Sequence, residues 1–156
     1  MNHNKFMRLA IKKTQQGMKM GNTPFGACIV KGSQVISCSH NQVWKDCDIT
    51  AHAEVTAIRA ACKKWKAVDL SGCVIYSTCE PCPMCFAACH WAGISKIIYG
   101  AAIQDARRIG FNELSLSNKM MKRLGKTPMT VQGGFLRKEC LELFQKFETL
   151  KTRRIY

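Results

Sequence analysis

Two segments constrain this chain more than any other feature: Thr50-Ala51-His52-Ala53-Glu54 and Cys79-Glu80-Pro81-Cys82-Pro83-Met84-Cys85. Each stands where a helix should begin. The first precedes the helical stripe Val55, Ile58, Cys62 and Trp65, with Asp48 or Thr50 expected as N-cap. The second contains Pro83, which suits a first helical turn because that position needs no amide partner. The helix it opens should run through Trp91. Between the two segments, Cys73-Val74-Ile75-Tyr76 reads as a strand. Helix starts hold unpaired amides and a partial positive charge, and both favour a thiolate over a thiol.

The rest of the chain supplies the layers around these points. Phe6, Met7, Ala10, Ile11, Thr14 and Met18 form an amphipathic stripe that ends near Gly17 to Gly21. Ala27-Cys28-Ile29-Val30 and Val35-Ile36-Ser37-Cys38 flank the turn Lys31-Gly32-Ser33 and predict a hairpin. Ile97-Ile98-Tyr99 and Met129-Thr130-Val131 supply two further strands. Leu141, Phe144, Phe147 and Leu150 predict a final helix. Residues 104–130 carry no clear period. Strand–helix alternation after a hairpin predicts a three-layer α/β/α sandwich with a mixed central five-stranded sheet, in one domain over 1–156.

One imidazole and two thiolates, from His52, Cys82 and Cys85, make the three-ligand set that leaves a zinc ion an open position. Zinc at such a position brings the pKa of its water towards about 7. Glu54, two residues past the histidine, is placed to hold a proton beside it. Cys79 and Cys82 also form a C-x-x-C pair, so an iron–sulfur site, a structural zinc or a redox dithiol fits the cysteines alone. A zinc held only for shape would have no use for Glu54.

Ten cysteines in 156 residues would suit a disulfide scaffold only in a short secreted chain. No apolar run approaches the ~20 residues of a membrane span, and residues 1–5 lack a secretory signature. Reduced thiols in the cytoplasm are therefore expected. The net charge of +14 is concentrated before residue 20 and after Lys119. Such a field attracts polyanions, RNA among them, although a solvated basic face has the same composition.

The paired pattern H-x-E and P-C-x-x-C is the signature of zinc deaminases. The chain resembles the cytidine-deaminase-like superfamily, in the branch holding bacterial guanine deaminases and bacterial tRNA adenosine deaminases. Pro24-Phe25-Gly26-Ala27, Asn41, Thr50 to Val55 and Cys79 to Cys85 carry the resemblance. It implies that His52, Cys82 and Cys85 bind zinc and that Glu54 shuttles protons. It implies further that Asn41 hydrogen-bonds the substrate, Phe25 lines the pocket, and backbone groups around Ala53 and Cys82 help bind the substrate.

Within that branch, Pro24-Phe25-Gly26, Pro83, Trp91, Asp105-Ala106, Gly110-Phe111 and Tyr156 look like the guanine enzymes. By that resemblance Trp91, Glu113 and Tyr156 join the substrate contacts, and Tyr156 closes the pocket of the partner in a homodimer with swapped tails. Glu113 replaces an aspartate of those enzymes. Val131 to Leu136, Glu139-Cys140 and the basic charge look more like the tRNA enzymes. The resemblance implies hydrolysis of guanine to xanthine and ammonia first, adenosine-to-inosine editing of tRNA second, and another free base or nucleoside third.

Overall fold

The computed structural model describes residues 2–156. Among these residues, five strands form one sheet in the order β2-β1-β3-β4-β5. They are β1 (Gly26–Lys31), β2 (Gln34–His40), β3 (Cys73–Cys79), β4 (Lys96–Ala101) and β5 (Thr130–Gln132). β1 runs antiparallel to both β2 and β3, whereas β3–β4 and β4–β5 are parallel. The sheet is therefore mixed, with β3 at its centre and all seven residues of that strand buried. A central strand of this kind has no solvent face, which is why its sequence does not alternate.

The helices are α1 (His3–Lys19), α2 (Val43–Asp46), α3 (Ala53–Trp65), α4 (Pro83–Trp91), α5 (Ile103–Arg108), α6 (Asn118–Gly125) and α7 (Arg137–Glu148). α1 packs on β1, β2, β3 and α7, while α3 packs on β1, β2, β3 and α4. The two helix pairs cover opposite faces and complete the expected three layers. α1 buries Phe6, Met7, Ala10, Ile11 and Thr14, close to its sequence stripe. Gly17 is required on that face, since a Cβ there would lie 2.6 Å from the buried His40 ring.

Three local expectations are corrected. α3 begins at Ala53, and its N-cap is His52 rather than Asp48 or Thr50. Asp48 instead accepts from Thr50, amide and hydroxyl, at 2.8 and 2.6 Å, folding the loop before the helix. The unperiodic stretch holds two short helices, α5 and α6. On α7 the buried face is Cys140, Leu143, Phe144 and Phe147, so Leu141 and Leu150 sit at its margin. No helix of the described residues is long and apolar enough to cross a membrane. All ten cysteines are free thiols.

Candidate active site

His52 and Cys82 occupy the same position on two different helices. Each is an N-cap with extended backbone, at φ −62° and ψ 156° for His52 and φ −62° and ψ 167° for Cys82. Neither side chain caps its own helix, so both are free to turn towards the space between α3 and α4. Cys85 joins them one turn into α4. His52 Nδ1 lies 3.6 Å from Cys82 Sγ and 3.6 Å from Cys85 Sγ. All three donor atoms fall within 4.8 Å of one another.

This donor set fits zinc. Bond lengths of about 2.3 Å to sulfur and 2.0 Å to nitrogen at a tetrahedral centre put sulfur and nitrogen about 3.5 Å apart. Two thiolates and an imidazole are also the ligand softness zinc prefers. The Cys82 thiol is pulled down to about 4 by the hydrogen bond from Cys85 and, after the opposing effect of burial, by His52. Cys85 is pushed well up by that same contact. Burial lowers the His52 pKa, but Cys82, with Glu54 and Glu113, outweighs it and the net shift is upward. Cys79 stays apart: its Sγ points to the Ala102 carbonyl at 3.6 Å, and burial holds the thiol well above its usual range. Among the described residues, the cluster is thus one histidine and two cysteines, not a row of three cysteines.

Glu54, on the first turn of α3, is 5% exposed and faces this cluster. Ser77 Oγ of β3 donates to its Oε1 at 2.8 Å. Burial raises the Glu54 carboxyl, with His52 opposing. Sequence reasoning does not reach Ser77; its only signal is the polar pair Ser77-Thr78 inside a fully buried strand.

The inner chamber is lined by Phe25, Asn41, His52, Glu54, Cys79, Glu80, Cys82, Glu113 and Tyr156, and leaves a cavity of about 10 Å³. Phe25 packs edge-on against Phe111 and Phe144, with ring centroids 4.8 and 5.7 Å away. Asn41 is fully buried; its Oδ1 accepts from the Val43 amide at 3.1 Å and its Nδ2 donates to the Tyr156 hydroxyl at 2.6 Å. Ala53 is fully buried as the first residue of α3 and lines neither cavity. Glu113 is pushed up to about 7, first by burial and then by the Cys82 thiolate. Outside lies a second cavity of about 280 Å³, walled by Ile49, Pro83, Met84, Phe111, Leu114 and neighbouring residues, with no lysine or arginine among them.

Tyr156 packs into this site within the chain. Its ring packs 5.4 Å from Phe111, 5.6 Å from His52 and 6.3 Å from Trp44. Asn112 N donates to the Tyr156 carbonyl at 3.2 Å. The Arg154 guanidinium lies 4.6 Å over the Trp44 ring, clasping the segment to α2. Trp91 is not brought into this pocket: as the last residue of α4 it lies more than two turns from Cys82 and is 85% exposed. His90 points elsewhere too, with Nδ1 3.0 Å from Thr127 Oγ1.

Residues 1–101 match the family described as the cytidine and deoxycytidylate deaminase zinc-binding region. The guanine deaminase of Bacillus subtilis is 45% identical over 114 residues, covering 72% of this chain and 73% of that protein. The tRNA-specific adenosine deaminase of Aquifex aeolicus is 41% identical over 96 residues, 62% of this chain and 64% of that one. A solved structure of NE0047 in complex with 2,6-diaminopurine superposes with a TM-score of 0.88 at 27% identity, covering 97% of this chain and 83% of the other.

Proposed function

Because the chain belongs to the cytidine and deoxycytidylate deaminase family defined by its zinc-binding region, we propose that it hydrolyses the exocyclic amine of a free purine, guanine giving xanthine and ammonia. The observation that carries this reading is Glu54, buried beside three metal donors and aimed by Ser77. A shape-only metal site has no need of a sequestered carboxyl.

His52, Cys82 and Cys85 would hold the zinc, which when bound would supply a water activated for attack at neutral pH. Glu54 takes the proton of the attacking water, passes it to the ring nitrogen beside the amine-bearing carbon, and delivers another to the leaving ammonia. Burial raises its carboxyl above the ordinary range, the direction that suits a group that must hold a proton as well as release it. The carbon gains the water oxygen and loses the amine, so guanine plus water balances xanthine plus ammonia. Asn41 and Glu113 pair with polar edges of the base, and the Phe25 side chain packs against it. Glu113 accepts from a ring N–H when ionised and donates to a carbonyl when protonated.

The outer cavity of about 280 Å³ has room for a single base. Its lining offers no cation for a phosphate, which favours a base over a nucleotide. Tyr156 occupies the way inward and closes over a base once it has entered, excluding water. RNA editing is the second reading, favoured by the 24 lysines and arginines and by the A. aeolicus relative. Ammonia release from guanine, guanosine, adenine, cytosine and an anticodon stem-loop, offered in parallel to zinc-loaded protein, separates the two. Turnover of guanine supports the first reading; inosine in the stem-loop with guanine untouched replaces it with the second.

A further inference from the structure

Glu80 takes no part in the chemistry above, yet it is 5% exposed and its two oxygens face two different helix starts. Oε2 accepts from the amide of Ile103, the first residue of α5, at 3.2 Å. Oε1 accepts from the amide of Asn118, the first residue of α6, at 2.8 Å. Asn118 Nδ2 in turn donates to the Pro81 carbonyl at 2.6 Å, so α6 is tied twice to the Glu80-Pro81 corner. First-turn amides have no partner within their own helix, and the positive end of a helix favours a carboxylate. Here one carboxylate serves two such ends.

What lies between the two anchors is the segment that walls the pocket. Residues 103–118 carry Phe111 and Glu113 to the site, while Asn112, Leu114 and Ser115 along the same path are exposed. A second hold, Arg137 on Asp105 at 2.6 and 2.9 Å, secures only the α5 end. Glu80 also stands at the end of β3, two residues before Cys82. Glu80 therefore anchors both ends of the base-contacting segment beside the metal corner.

We infer that Glu80 is a positioning residue that sets Glu113 and Phe111 in register with the His52–Cys82–Cys85 centre, and through them the discrimination between purines. The inference rests on the deaminase reading above. A glutamine at this position would offer one acceptor oxygen and press an amide N–H₂ against a helix-start N–H. An aspartate would keep the charge, but it is too short to span both amides.

The test uses the full-length zinc-loaded protein, wild type against Glu80→Gln and Glu80→Asp, with three readouts: bound zinc, amide hydrogen exchange, and kinetics on guanine and 2,6-diaminopurine. Zinc stoichiometry should stay at the wild-type value in both variants. Amides of residues 103–118 should exchange about tenfold faster or more, with those of β1, β3 and β4 unchanged, since freeing a held segment is a local opening. KM for guanine should rise about tenfold with a smaller fall in kcat, and the guanine preference should narrow. Unchanged exchange in 103–118, or zinc lost together with activity, overturns the inference. Exchange does not depend on knowing the substrate. Wild-type protein inactive on every purine would therefore remove the substrate reading, while exchange alone would still decide the anchor.

Discussion

The Asn41 side-chain amide donates to the Tyr156 hydroxyl at 2.6 Å across 115 residues of sequence. The group assigned to hold the base is thereby occupied by the chain itself. A base that uses Asn41 must displace this bond, which is worth about 1 kcal/mol net. Tyr156→Phe keeps the ring packing and removes the competitor. It should lower KM for guanine about fivefold with kcat little changed. An unchanged or raised KM would show that the hydroxyl helps the substrate rather than competing with it.

Glu54→Gln should reduce kcat by about 10²–10⁴-fold, the usual contribution of a positioned acid–base group. Zinc content should not change, because Glu54 is not among the donor atoms of the cluster. Metal analysis beside the assay checks both halves. Full activity in this variant would return the site to a structural role.

Removing zinc should expose one thiol more than any other at the site. Cys82, held down to about 4, is a thiolate at neutral pH, whereas Cys79 and Cys85 are pushed well up. Peptide mapping after brief alkylation of the chelator-treated protein should find Cys82 modified far ahead of Cys79. Reloaded zinc should protect Cys82, and the exposed Cys47 should react equally in both states.

Glu113 makes the zinc-free fold sensitive to pH. Its carboxyl lies near 4.5 when unfolded and is raised to about 7 in the folded chain. The folded state therefore binds the extra proton, and the stability it contributes is fully present below about 4.5 and is lost as pH rises through about 7. Thermal melts of zinc-free protein should fall over this range in wild type and fall less in Glu113→Gln. Parallel curves for the two proteins would mean that this carboxyl is not perturbed.

Tyr156, at the end of segment 153–156, reaches Asn41 and lines the site within one chain. Mixing Glu54→Gln protein with protein lacking residues 153–156 should restore no more activity than the two show separately. Recovered activity would mean that the segment crosses between copies in solution, as in a swapped dimer.

The parts of the site that sit on periodic elements were legible in the sequence, and the parts that close across the fold were not. His52, Glu54, Cys82 and Cys85 stand at two helix starts, and local spacing suffices to group them. Ser77 and Glu80 act on residues 23 to 38 positions away, and nothing in their immediate neighbours announces a partner. α5 has the alanine Ala102 as its N-cap; Glu80 serves the Ile103 amide from the end of β3, and Asp105 of α5 itself reaches back to the Ala102 amide. The helix therefore lacks the capping residue that would have marked it. Trp91 lies on α4, at the end away from the pocket: sequence pattern gives the helix, not which of its turns meets a cavity.

With both ligand-bearing caps at helix starts, the width of the metal site is a distance between two rigid rods rather than the reach of a loop. α3 and α4 pack against each other, and this contact acts as the gauge. A larger soft ion could be seated only by sliding one rod along the other. Because α3 also lies against β1 and β2, that slide would strain the sheet edge far from the ion. Substitutions buried between α3 and α4 are therefore the place to retune which metal the site accepts, leaving the ligands themselves untouched.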